Sequence, residues 1–242
     1  MKTRFVLPGL VFAAALVMTG CGQAGTAPGS TSTSTASVSA TETPSAVAKT
    51  YTNGELETIV TKLKDPNGQP FTVIPAAQIN QGLQVARTLL KTAVVTPKAC
   101  AVLATENAQV PEGSTYAAGT SISAADKTTI TVTVFAVKDA SSMSNQLMAS
   151  QKAAAQCDTV TVAVAGKKAT VKVTPVAVTT SGDTSLGALT TETAATGQKV
   201  TALTVTAIKG NLAAQAVKAG VTITPAASAE LVKLVDAVLA NQ

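Results

Sequence analysis

The sequence predicts an α+β domain: a mainly antiparallel sheet packed with several helices, in one domain with one disulfide. Three observations point there. Apolar residues recur at helical spacing early in the chain, at a period of two from about residue 115, and at helical spacing again at the end. Strand-like runs follow one another directly instead of alternating with helices, which argues against a parallel α/β sheet. The stretch from Tyr51 to Gln242 has the length of one ordinary domain.

In the first half, Gly54 to Lys64 places Leu56, Ile59, Val60 and Leu63 on one helical stripe. Asp65-Pro66-Asn67-Gly68 is a turn that ends it. Phe71 to Ile74 reads as a short strand. Ala76 to Thr92 reads as a helix with Ile79, Leu83, Ala86 and Leu90 along one side. Pro97 suits the first turn of a short helix through Cys100 and Leu103.

The period-two region opens with a hairpin, Thr115–Ile122 and Thr129–Val137, turning at Ala124-Ala125-Asp126-Lys127. In its second arm Ile130, Val132, Val134 and Ala136 alternate with Thr129, Thr131, Thr133 and Phe135. Asp139 or Ser141 caps a helix to Gln156, with Met143, Leu147 and Ala154 inward. Strands are expected at Thr159–Val164, Ala169–Thr179, Ala188–Ala194 and Val200–Ile208, and one more from Asn211 to Ala219. Gly166-Lys167 and Lys209-Gly210-Asn211 supply turns. Thr224-Pro225 starts a last helix that turns Leu231, Leu234, Val235 and Val238 to the core.

The N-terminus carries a different message. Lys2 and Arg4 precede a short apolar run from Phe5 to Val17, and Met18-Thr19-Gly20 lead to Cys21. This is the layout of a secretory signal. Small residues directly before a cysteine make it resemble a bacterial lipoprotein signal. That resemblance implies cleavage after Gly20, a diacylglycerol thioether on Cys21 and an N-acyl chain. The other reading is an ordinary cleaved signal with a free thiol. A retained membrane helix fits poorly, because the run falls short of the ~20 residues a span needs and holds Pro8 and Gly9. Two or three acyl chains, at about 0.8 kcal/mol per buried methylene, anchor a protein stably. The expected location is the extracytoplasmic face of the cell membrane, with the bilayer as partner through the anchor.

From Gly22 to Thr50 the chain is Ser, Thr, Ala, Gly and Pro, with Ser and Thr making 13 of its 29 residues. It has no amphipathic period and little to bury, so residues 21–50 read as a disordered tether with a reach of roughly 30 Å. The expected organisation is a signal over 1–20, a tether over 21–50 and a binding domain over 51–242.

Composition excludes several classes of function. The chain has no His and no Trp, and aromatics are 2% of it. His-ligated metals, Ser-His-Asp and Cys-His catalysis and aromatic cages lack their residues. The net charge of +5 falls to +3 (16 basic, 13 acidic) once Lys2 and Arg4 leave with residues 1–20. The basic residues are scattered and no stacking aromatics accompany them, so nucleic acid is not an expected partner. Ser-x-x-Lys is absent. Thr61–Lys64 and Thr88–Lys91 have that spacing with Thr but read as helix surface. Glu55 and Glu57 point to different helix faces, and Glu106 and Glu112 fall in a loop region. No acidic cluster has calcium-loop spacing. The reading is a non-enzyme with no cofactor and no metal.

Outside the N-terminal signal only Cys100 and Cys157 remain, an even number in an exported chain, which favours a bridge between them. Two buried thiols are the alternative. A catalytic thiol has no His to activate it.

The order Thr96-Pro97-Lys98-Ala99-Cys100, a strand Ile130-Thr-Val-Thr-Val-Phe135, a helix from Asp139 to Cys157, further strands and a closing helix from Pro225 resembles a known family. It looks like the extracellular sensor domain of mycobacterial PknH-type kinases and the actinobacterial lipoproteins that share it. Members often carry a second disulfide, for which this chain has no cysteines. There is no G-x-G-x-x-G and no H-R-D, so the kinase does not come with the resemblance. The implied role is non-catalytic binding of an envelope ligand in a cleft, with no ligand residue to carry over. Three functions follow as expectations: a module for a small envelope ligand or protein partner, a lipid or glycolipid carrier with an apolar cavity, or a structural, partner-binding envelope protein.

Overall fold

The computed structural model describes residues 49–103 and 113–241. The signal, Cys21, the tether up to residue 48, Glu106 and Glu112 lie outside these residues.

The first helix, α1 (Asn53–Lys62), is started by a reciprocal cap. The Thr52 hydroxyl accepts from the Glu55 amide, and the Glu55 carboxylate accepts from the Thr52 amide at 2.7 Å. Leu63 is already extended, so the helix stops two residues before the expected end. Two elements follow as expected: β1 (Thr72–Ile74) and α2 (Ala76–Leu90). A strand the sequence does not predict, β2 (Val94–Thr96), precedes a cis peptide at Thr96-Pro97 and a 3₁₀ segment, Lys98–Leu103.

The hairpin of β3 (Thr115–Ser123) and β4 (Thr128–Ala136) turns where expected, with Lys127 at φ 52°. Helix α3 (Ala140–Gln156) is capped by Asp139, whose carboxylate accepts from the Ser141 and Ser142 amides. A meander completes the sheet: β5 (Thr159–Val164), β6 (Lys167–Val176), β7 (Thr184–Ala194), β8 (Lys199–Lys209) and β9 (Leu212–Gly220). Lys167 belongs to the strand; Ala165 and Gly166, both at positive φ, make the turn. The chain ends in a 3₁₀ turn, Pro225–Ala227, and α4 (Ser228–Leu239).

All nine strands form one sheet in the order β1-β3-β4-β9-β8-β7-β6-β5-β2, every neighbour antiparallel. The edge strands are short, three residues each, which limits pairing with other chains. Alternation along β4 sets two layers. Ile130, Val132, Val134 and Ala136 join Leu203, Val205, Ala214 and Ala216 beneath α1 and α4. Phe135 points the other way and packs with Ile208, Ala213 and Leu186 under Met143 and Leu147 of α3. The centre of the sheet is therefore covered on both faces, and β8 is buried from Thr201 to Ile208. Helix α2 is on the α3 side, where Asn80 hydrogen-bonds the Tyr116 hydroxyl. Its apolar stripe is only half-buried, with no residue fully enclosed.

Candidate functional site

The two cysteines meet as a disulfide with an S–S distance of 2.08 Å and Cα atoms 5.9 Å apart. Cys100 comes from the 3₁₀ segment and Cys157 is the C-cap of α3. Both are buried beside Val95 and Val160. The bridge therefore fastens the chain after β2 to the helix that roofs the second face.

A polar recess lies on the first face, where three separate parts of the chain converge. The loop after α1 brings Asp65 and Asn67; the end of the hairpin brings Ser121, Ser123 and Asp126; β9 and α4 bring Lys218 and Glu230. Its volume is ≈ 100 Å³. Register explains the convergence. Ser121 faces Ile130 across the hairpin, and Ile130 faces Lys218 on β9. All three point to the face on which α1 and α4 pack.

Asp65 organises the loop. It is 7% exposed and accepts hydrogen bonds from the Asn67 amide (2.9 Å), the Gln69 amide (2.7 Å) and the Ser121 hydroxyl (2.7 Å). Burial pushes its carboxyl up, but those three donors outweigh burial and hold it below the ordinary carboxylate range. Across the recess the Lys218 ammonium meets the Glu230 carboxylate at 2.8 Å. The Ser123 hydroxyl meets Asp126 at 3.3 Å. The lining offers carboxylates, hydroxyls, an amide and one ammonium, which suits a small polar molecule. Asp65 is a poor general base there, because catalysis near neutrality needs a carboxyl raised toward the working pH.

The domain's N-terminal end is pinned at the opposite end of β9. The Asn211 amide donates to the Lys49 carbonyl at 2.5 Å, and the Lys49 ammonium reaches the Asn241 carbonyl at 3.3 Å. The same ammonium sits 4.6 Å from the centre of the Tyr51 ring. Six residue steps along β9 lead from Leu212 to Lys218, so the recess is roughly 20 Å from this strap.

The other residues singled out in the sequence stay apart from the recess. Glu55 is engaged in capping α1. Thr61 and Thr88 donate to the carbonyls of Thr58 and Gln84 in their own helices, as surface threonines do. Among Asp, Glu and Cys of the described residues, no group of three or more gathers as metal ligands. The recess itself was not foreseen. Asp65-Pro66-Asn67-Gly68 shows in sequence only as a turn, and no local signal connects Asp65 to Lys218, 153 positions away.

No protein-family profile matches the chain, and no curated protein does. Among solved structures, it is similar to the extracellular domain of PknH from Mycobacterium tuberculosis, at 18% identity and a TM-score of 0.46, over 61% of this chain and 78% of that one. It is also similar to an uncharacterised protein of Mycobacterium smegmatis, a Rv0999 ortholog, at 14% identity and a TM-score of 0.42, over 71% of this chain and 85% of that one. At these TM-scores neither likeness transfers a site or an activity.

Proposed function

We propose that this chain is an envelope lipoprotein whose domain binds a small polar ligand without transforming it. Acyl chains on Cys21 hold it at the extracytoplasmic face of the membrane. The observation that carries the reading is the position of the recess, at the far end of β9 from Lys49. A tether arriving at Lys49 joins the domain at the end of β9 away from Asp65, Lys218 and Glu230, so the anchor does not cover the recess. The Cys100–Cys157 bridge supports the same placement, since disulfides persist in oxidising compartments. A volume of ≈ 100 Å³ is below the roughly 300–1,000 Å³ of pockets for larger ligands. The ligand is therefore small, and the polar lining gives the lipid-carrier reading no footing at this place.

Two measurements test the proposal. Cys21→Ala should release the protein from membranes; partitioning into detergent as wild type does would refute the anchor. Native mass spectrometry of the chain purified from its own envelope should show a small polar adduct that Ser123→Leu, filling the mouth of the recess, drives off. A retained acyl lipid would overturn this reading in favour of a carrier, and an adduct indifferent to Ser123→Leu would remove the recess from it.

A further inference from the structure

The sheet is roofed unevenly on its first face. Helix α1 packs on β1, β3 and β4, and α4 packs on β9, β8 and β4. Beyond them the wing of β6 is open to solvent at Lys168, Thr170, Lys172 and Thr174, which alternate and so share this face. Thr170 stands beside Thr193, and Thr193 beside Lys199 at the start of β8. At ~3.3 Å per residue and ~4.8 Å between strands, Lys168, Lys172 and Lys199 form a triangle with sides of roughly 12 Å. The hydroxyls of Thr170 and Thr193 floor its centre. None of the three lysines forms an ion pair among the described residues. The one acid in β5 to β8, Glu192, pairs in register with Val171 and Val200 and projects to the opposite face.

We infer that this open wing binds an anionic polysaccharide. Charge complementarity sets the occupant: three ammonium groups of one sign, with no acid among them, attract phosphate or carboxylate groups. The threonine floor supplies donors and acceptors for sugar hydroxyls between the charged groups. The shape calls for a linear chain. Helix α4 stands about 10 Å above the neighbouring strands, so a slender polymer reaches the wing floor at its foot where a planar bilayer is held off. Within β6 to β8 the exposed side chains of this face are lysines and threonines, and the exposed Val94 stands two strands from Lys168 on the edge strand β2, a single apolar side chain where a peripheral protein seats several in lipid. Lys199 lies at the recess end of the sheet, since β8 begins there and Thr201 pairs with Gly220 just beyond Lys218. The wing thus shares with the recess the end of the sheet away from Lys49, clear of the anchor, and only this last point rests on the lipoprotein reading.

The experiment uses the mature chain in non-ionic detergent micelles, with polygalacturonate as the anionic probe and dextran as the neutral one, followed by calorimetric titration. Polygalacturonate should bind with an affinity that falls as salt rises, and dextran should not bind. Together Lys168→Gln, Lys172→Gln and Lys199→Gln should weaken binding roughly tenfold. Lys62→Gln, Lys152→Gln and Lys233→Gln, exposed lysines elsewhere, remove the same charge and should change it less than about twofold. Both triple variants should melt like wild type. Equal losses in the two triples, no binding to polygalacturonate, or equal binding of dextran would overturn the inference. So would displacement of the polymer by phosphatidylglycerol added to the micelles, which would assign the wing to lipid headgroups. Misplacement of the lipoprotein in the cell would show in the Cys21→Ala fractionation and leave this binding untouched.

Discussion

The Ser121 hydroxyl donates to the Asp65 carboxylate at 2.7 Å and so joins the end of β3 to a loop 56 positions earlier. The bond matters because Asp65 is buried and ionised. Its other donors are amides of its own turn; among the described residues Ser121 is the donor to Asp65 from β3.

Ser121→Ala should therefore destabilise the domain by about 1–3 kcal/mol, the cost of leaving a buried acceptor unmatched. The loss depends on pH. The folded carboxyl of Asp65 lies below its unfolded value, so its contribution is complete above the unfolded value of 3.8 and disappears as pH falls through the folded one. Scanning calorimetry should show the full gap between wild type and variant at pH 7 and a shrinking gap below about pH 4. A gap that stays constant to pH 2 would refute the role given to Ser121.

Glu192 works in the opposite sense. Burial between Val171 and Val200 pushes its carboxyl up from 4.5. Below the unfolded value the group is protonated in both states and costs nothing. As pH rises toward and through the raised folded value, ionisation weakens the fold. Glu192→Gln should match wild type at pH 3.5 and unfold at higher denaturant at pH 7. Equal midpoints at both pH values would contradict this.

Two glycines give opposite expectations. A Cβ on Gly187 would strike the Val176 carbonyl oxygen, part of the neighbouring backbone, and come within 2.8 Å of Val178 Cγ1. Gly187→Ala should cost about 1–3 kcal/mol, as overpacking does. Gly82, inside α2, has nothing within 4 Å of the added atom. Gly82→Ala should stabilise by about 0.5–1 kcal/mol. Thermal melts of the two variants should bracket wild type.

Cys100→Ser opens the bridge across a separation of 57 residues. On the chain-entropy account the loss is about 4 kcal/mol. Mass spectrometry after maleimide treatment should find Cys157 modified in the variant and unmodified in wild type. Modification of both cysteines in the native wild-type chain would show that the bridge does not form.

Local periodicity made much of the fold legible. The stripe of Leu231, Leu234, Val235 and Val238 is the buried side of α4, and Leu56, Ile59 and Val60 are that of α1. The hairpin turn was readable because Asp126-Lys127 interrupts two alternating runs. Where the signal is short, it failed. Val94–Thr96 has three residues, too few to show a period, and is a strand because β5 pairs with it. The β7 strand starts at Thr184, four residues before the expected Ala188, because pairing with Val205 to Ile208 carries it through Gly187. The stripe of Ile79, Leu83, Ala86 and Leu90 marked α2 as a helix but not how deeply it packs, and α2 covers its sheet face loosely.

Composition and order determined the class of this protein: which stretches are helix or strand, that two cysteines suit a bridge, and that His-based chemistry is excluded. Those properties reside in each residue and its near neighbours. Only the tertiary structure decided that Asp65, Ser121, Lys218 and Glu230 share one recess and that three lysines surround two threonines on an open wing. Strand register across β3, β4 and β9, and across β6, β7 and β8, makes those meetings. Register is a collective result of packing and hydrogen bonding between distant segments, and no single segment encodes it.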